Sequence, residues 1–232
     1  MARSAPRRPL FARYYAHVAG PALEKAGAAR HRRSLLEGLT GRVVEIGAGH
    51  GLNFPHYPPG VAHLLAVEPE PRLRALAADA ARAAPVPVEV AGARGERLPA
   101  DGASFDAAVV SLTLCSVGDQ AAVLAEIRRV LRPGGHLRFF EHVRAVTSGT
   151  RRVQRVLDAT VWPLLCGGCH LGRDTVAAIR DAGFTVTALR TFTFPAPGPA
   201  GTCVLGTAEK PPAPAPPPER SGPPRPSGRG AG

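Results

Sequence analysis

The sequence predicts an α/β domain built on an open, doubly wound and mostly parallel sheet. Three observations carry that expectation. Apolar runs of strand length alternate with amphipathic or alanine-rich segments of helix length along residues 41–209. The first run, Val43-Val44-Glu45-Ile46, feeds directly into Gly47-Ala48-Gly49-His50-Gly51. Such a strand-to-glycine turn lets a nucleotide-like ligand sit against bare backbone at a helix mouth. The second run, Leu64-Leu65-Ala66-Val67, ends on Glu68, 17 residues past Gly51. A carboxylate there can accept both hydroxyl protons of an unmodified ribose and would repel a 2′-phosphate.

The remaining elements follow in order. Phe11-Ala12-Arg13-Tyr14-Tyr15 opens a helix, with Phe11 and Tyr15 one turn apart on the same face. Gly20-Pro21 breaks or bends it, and a second helix runs through 30–39. After the glycine turn, Asn53 is placed to hydrogen-bond a ligand or start a helix, and Pro58-Pro59-Gly60 turns the chain into the second strand. Residues 71–84 form an alanine-rich helix. Residues 85–90 form a short third strand whose prolines suit a sheet edge. The fourth strand covers 105–110 and ends at Ser111; the run 112–117 lies just beyond, where open α/β sheets hold ligands. Val123, Leu124, Ile127 and Val130 recur at helical spacing over 120–131. Arg132-Pro133-Gly134-Gly135 closes that helix, and 136–140 form the fifth strand with Glu141 and His142 at its exit. An apolar segment over 154–165 holds the one tryptophan, Trp162. A last helix over 173–182 stops at Gly183, and two strands, 184–194 and 202–208, flank a proline-rich turn.

Charge is unevenly spread. The net charge is +11, yet residues 1–33 hold +7, residues 210–232 hold +3, and everything between is nearly neutral. A neutral folded part argues against a nucleic-acid surface. The basic ends suit solvent, or loose attachment to anionic lipid or RNA. No apolar run reaches the roughly 18 residues that a membrane span requires, and none follows Arg7-Arg8 as a signal peptide would. A cytoplasmic protein is expected.

Glu45-x-Gly47-x-Gly49-x-Gly51 resembles the first motif of class I S-adenosylmethionine-dependent methyltransferases. The helix-Arg-Pro-Gly-Gly-strand succession is also frequent in that family. Four further runs are similar to the methyltransferase-like alkyl thiol methyltransferases of animals and their bacterial relatives: 114–117 (Leu-Cys-Ser-Val), 141–143 (Glu-His-Val), 156–158 (Val-Leu-Asp) and 168–171 (Gly-Cys-His-Leu). The similarity spans about residues 41–190. The animal proteins carry an apolar N-terminal anchor that has no counterpart in this sequence.

The resemblance implies a Rossmann-like seven-stranded sheet, mostly parallel, with an antiparallel C-terminal hairpin. It implies S-adenosyl-L-methionine as methyl donor and a small, hydrophobic thiol or hydroxyl acceptor. It further implies that Glu45 helps hold the amino end of the methionine part and that Gly47, Gly49 and Gly51 line the donor. Asn53, Glu68 and Ser111 are added as donor-binding candidates. Many relatives place an acidic residue near the adenine amino group; Arg94 stands there in this sequence, which leaves Gly95 and Glu96 as candidates. His142 is the candidate base. Phe11, Tyr15, Leu114, Trp162, Leu165 and Cys169 are the candidate acceptor wall. An RNA or protein methyltransferase, or a cofactor-binding protein without catalysis, remains an alternative.

Cys166-Gly167-Gly168-Cys169-His170 matches the C-x-x-C-H haem-attachment pattern and a redox C-x-x-C. Haem attachment requires export, for which there is no signal. No second cysteine pair completes four zinc ligands, although His170 with Cys203 is conceivable. Reduced thiols in a substrate-side loop are expected, with no metal. The domain plan is a helical cap over 1–40, a catalytic domain over 41–209, and a disordered Pro/Gly-rich tail over 210–232.

Overall fold

Strands with apolar residues on both faces set the frame, as a sheet covered by helices on each side demands. In the computed structural model, which describes residues 9–194 and 201–212, these are β1 (Gly41–Ile46), β2 (Val61–Val67) and β4 (Phe105–Ser111). They are joined by β3 (Val88–Ala91), β5 (Leu131–His142), β6 (Thr185–Thr193) and β7 (Thr202–Glu209). The sheet runs in the order β3-β2-β1-β4-β5-β7-β6. The first five strands are mutually parallel; β7 runs antiparallel to both β5 and β6. This is the expected seven-stranded, mostly parallel sheet. The terminal hairpin does not simply extend it, because β7 inserts between β5 and β6.

The helices are α1 (Pro9–Tyr14), α2 (Gly20–Lys25), α3 (Ala28–Leu36), α4 (Pro71–Ala81), α5 (Gln120–Val130), α6 (Ser148–Asp158), α7 (Trp162–Leu165) and α8 (Thr175–Asp181). Neighbouring strand residues serve opposite faces, as the pleat requires. Val44, Ile46, Leu65, Val67, Ala108 and Val110 pack with α5 and α8 through Val123, Leu124, Ile127 and Ile179. Val43, Leu64, Ala66 and Val109 pack with α3 through Leu35 and Leu36 and with the turn after the glycine loop through Phe54. Helix starts follow local chemistry. The Glu70 side chain accepts from Leu73 N ahead of α4, and Asp119 accepts from Ala122 N ahead of α5.

Three boundaries differ from the sequence reading for physical reasons. Arg132-Pro133-Gly134-Gly135 lies within β5, not in a turn before it; the pairing with β4 shifts register there, and Gly134 takes a φ of +76°. The third strand begins at Val88, after Pro85 and Pro87, whose missing N–H groups cannot join a ladder. The apolar segment over 154–165 divides into parts of α6 and α7, and only some of its apolar side chains, Leu157 and Trp162 among them, pack inward. Val156, Leu164 and Leu165 are exposed, whereas Gln154 is buried and accepts from Ala145 N at 2.8 Å. The expected tail beyond residue 212 and the turn over 195–200 lie outside the described residues.

Candidate active site

The strand order reverses between β1 and β4, and the loops after those strands diverge there to leave a crevice. A cavity of about 540 Å³ occupies that crevice, within the size range of small-molecule sites. Gly47 and Gly49 line it from the loop after β1, and Glu68 from the end of β2. Arg94, Gly95 and Glu96 line it from the loop after β3, and Ser111, Leu112 and Thr113 from the end of β4. Phe11 and Tyr15 close it from the N-terminal helices, and Pro163, Gly167, Gly168 and His170 from the α7 region.

The glycine turn is built around Glu68. Its Oε2 accepts Gly49 N–H at 2.9 Å and its Oε1 accepts Glu70 N–H at 2.8 Å. Burial drives its pKa up to about 7, against the two backbone donors that hold it down. Gly49 has a φ of +59°, and a side chain there would start 3.4 Å from the Tyr15 ring. Gly51 has a φ of +86°, and a Cβ there would meet the Phe54 ring at 2.8 Å and Ala80 at 2.9 Å. Gly49 therefore faces the cavity, while Gly51 secures the packing beneath it.

Glu45 and Asn53 lie behind the glycine turn, outside the cavity wall. Glu45 is fully buried and accepts from Asn53 Nδ2 and Tyr57 Oη, each at 2.8 Å. Burial lifts its pKa to about 7, partly offset by those hydrogen bonds. Asn53 Oδ1 in turn accepts from Arg32 Nη1 at 2.8 Å, and the same nitrogen lies 3.2 Å from Ser111 Oγ. Arg32 also pairs with Glu24 at 2.9 Å and acts on the buried Tyr15 hydroxyl, while its Nη2 makes no hydrogen bond of good geometry among the described residues. This guanidinium lies behind the cavity wall and ties Ser111 and Asn53 to the N-terminal helices. The helical reading of 30–39 did not single out Arg32, because one arginine among many carries no pattern.

Glu141 is the second residue that sequence motifs placed without a role. Its buried carboxylate accepts three successive backbone N–H groups: Thr113 at 2.8 Å, Leu114 at 2.9 Å and Cys115 at 3.1 Å. Burial raises its pKa to about 7 against those three donors. The carboxylate thereby folds the loop after β4, with Leu112 held at a φ of +55°. Arg173 Nη1 fixes the same loop through the Leu114 carbonyl at 2.7 Å.

Arg94 and Glu96 form an ion pair at 3.1 Å on the cavity wall. The arginine that replaces the family's usual acid thus comes with its own carboxylate. Of the candidate acceptor residues, Tyr15 and Phe11 stand in the wall, stacked at 5.7 Å. Leu114, Trp162, Leu165 and Cys169 stand outside it: Leu114 is a core residue, Leu165 is largely exposed, and Cys169 is buried behind Gly168. His142, the candidate base, is also outside the wall. Its Nδ1 lies 3.9 Å from both Cys115 Sγ and Cys169 Sγ.

A family described as a methyltransferase domain matches residues 44–139. The human protein named thiol S-methyltransferase TMT1A is 38% identical over 158 residues, covering 66% of this chain and 64% of its own length. Human thiol S-methyltransferase TMT1B is 36% identical over 188 residues, covering 76% of each chain. The chain belongs to the TMT1 family of S-adenosylmethionine-dependent methyltransferases. A solved structure from Thermotoga maritima, described as a SAM-dependent methyltransferase and possible histamine N-methyltransferase, shares the fold. It has a TM-score of 0.64 at 22% identity, with 87% of this chain and 98% of that one covered. Membership in the TMT1 family agrees with the position of the crevice and with the glycine turn that floors it. No helix among the described residues is long and apolar enough to cross a membrane.

Proposed function

We propose that the chain transfers the methyl group of S-adenosylmethionine to the sulfur of a small, largely apolar thiol. The observation that carries this reading is the pairing of the Glu68 carboxylate with the bare Gly49 backbone on one wall of a small-molecule cavity, in a chain similar to two thiol S-methyltransferases. The residues fit the donor. Glu68 keeps one free lone pair on each oxygen for the two ribose hydroxyls. Gly47 and Gly49 give the methionine part room. Gly95 and the Arg94–Glu96 pair border the remaining wall, on the adenine side.

The bound donor supplies an activated methyl on a sulfonium whose leaving group is neutral. The protein's task is alignment and exclusion of water. Phe11, Tyr15 and Pro163 form an apolar rim that favours a small uncharged acceptor over a phosphate-bearing polymer. A thiol with a pKa near about 8.5 is partly ionised at neutral pH, so no strong base is required. With His142 outside the wall, acceptor deprotonation is assigned to solvent.

The test is direct. The purified chain is incubated with methyl-labelled S-adenosylmethionine and matched sets of alkyl thiols, phenols and amines, and products are resolved by mass. S-methylated thiols are the expected products. Turnover confined to phenols or amines, or transfer to RNA or protein in preference to thiols, would overturn the acceptor assignment.

A further inference from the structure

The C-x-x-C-H run gives one residue to a cluster that its own spacing does not predict. Cys115 lies on the loop after β4, His142 ends β5, and Cys169 lies between α7 and α8; each is 27 residues from the next. The two Sγ atoms and a ring nitrogen all lie within 4.8 Å of one another. Cys166 and His170 take no part among the described residues. His170 Nδ1 instead lies 2.8 Å from the Gly168 carbonyl.

We infer that Cys115, His142 and Cys169 form a binding site for a thiophilic metal ion of the Zn²⁺ type. Two thiolates and an imidazole are the donor set such ions prefer. Zinc–sulfur and zinc–nitrogen bonds of about 2.3 and 2.0 Å in a tetrahedron separate sulfur from nitrogen by about 3.5 Å and sulfur from sulfur by about 3.8 Å. The His142 nitrogen already lies 3.9 Å from each sulfur, so a contraction of a few tenths of an ångström brings both sulfur–nitrogen pairs to that spacing, and the two sulfurs start within 4.8 Å of each other. The ligands are held in place before any ion arrives. Glu141 accepts from Cys115 N, His170 N donates to the Cys115 carbonyl at 2.8 Å, and Asp158 accepts from Leu171 N and Gly172 N at 2.7 and 2.8 Å. Both cysteines are buried, and Leu171, Leu157 and Trp162 pack around them.

The thiols of this cluster already interact. Hydrogen bonding from Cys115 and the His142 ring pulls the Cys169 thiol below its ordinary range against burial, and the same contact pushes the Cys115 thiol up. Metal binding releases any remaining thiol protons to solvent as the metal–sulfur bonds form. Three protein ligands leave the fourth tetrahedral position to a water or a small thiol. The ion ties α7 and the loop after it, which supply Pro163, Gly167 and Gly168 to the cavity wall, to the ends of β4 and β5.

Cobalt(II) tests this on the full chain, purified under reductant and stripped with a chelator. One equivalent is expected to produce a thiolate-to-cobalt charge-transfer band in the near ultraviolet and tetrahedral d–d bands in the visible. Zinc should displace it. Cys169→Ser should weaken zinc binding by about 100-fold or more, at or above the range seen for residues that merely support a ligand; Cys166→Ser should leave it unchanged. The wild-type spectrum needs no variant, so misfolding of a mutant cannot shield the inference. No stoichiometric cobalt spectrum, or equal loss in Cys166→Ser and Cys169→Ser, overturns it. A Cys115–Cys169 disulfide found in place of metal after reductive purification also overturns it. None of these readouts depends on methyl transfer.

Discussion

Protonation of Glu68 should compete directly with binding of the donor. In the free protein, burial lifts this carboxyl from 4.5 to about 7. Each oxygen already accepts one backbone N–H, from Gly49 and Glu70, so each has one position left for a ribose hydroxyl. A proton on either oxygen converts that acceptor into a donor and removes one of the two ribose contacts. The bound form is therefore the carboxylate. The sign follows: affinity is full above the raised pKa and falls as pH drops through it. Between about pH 8 and 5.5 the ionised fraction falls from about 90% to about 3%, so affinity for S-adenosylhomocysteine should fall by up to about 30-fold, or about 2 kcal/mol at most. Glu68→Gln removes the charge and should raise the dissociation constant at about pH 8 by about 10- to 100-fold, the scale of hydrogen bonds to a charged group. It should also flatten the pH profile. Calorimetric titration of both proteins across this range measures both effects. A variant that binds within about twofold of wild type, or that keeps the wild-type slope, would refute the ribose assignment.

Other substitutions separate support from contact. Glu141→Gln sets an amide N–H₂ against backbone donors that now share a carboxylate; a loss of about 2–3 kcal/mol is expected, lowering Tm by about 5–10 °C in a thermal melt. Gly51→Ala forces a Cβ into Phe54 and Ala80 at positive φ, and urea unfolding should show a loss of at least about 2 kcal/mol. Gly49→Ala has only the Tyr15 ring nearby, so stability should fall by about 1 kcal/mol while S-adenosylhomocysteine affinity, read by calorimetry, falls more than tenfold (about 1.4 kcal/mol). Phe11→Ala removes a half-buried ring that covers Gly167 and stacks on Tyr15; steady-state kinetics should show a raised KM for the thiol acceptor with Tm nearly unchanged.

The fold was legible because its signals are local. Val43 to Ile46, Leu64 to Val67 and Phe105 to Val110 are short apolar runs with helix-spaced segments between them, and each became a strand or helix near its expected bounds. Insertion of β7 between β5 and β6 was not legible, since register between distant strands leaves no local trace. The segment over 154–165 misled for a related reason. Its apolar content is real, but α6 buries Gln154 and shows Val153 and Val156 to solvent. Composition without the angle at which a helix meets its neighbours does not say which face is inside.

The site divides along the same line. Gly49 and Glu68 stand on adjacent strands' ends, so a motif and a spacing sufficed to bring them together. Glu141, Arg32 and the Cys115–His142–Cys169 group act over separations of 21 to 79 residues, and no single-sequence pattern marks such partners. What unites these residues, whether missed or given another role by the sequence, is that they hold backbone or one another rather than face the cavity. Glu141 binds three amides of the loop after β4; Glu45 fixes Asn53 and Tyr57 behind the glycine turn. Both spend burial free energy, visible as raised pKa values, to fix loops that a mobile backbone would leave open. A cavity shaped in this way is organised before the donor arrives, so less of the binding free energy is lost to ordering those loops.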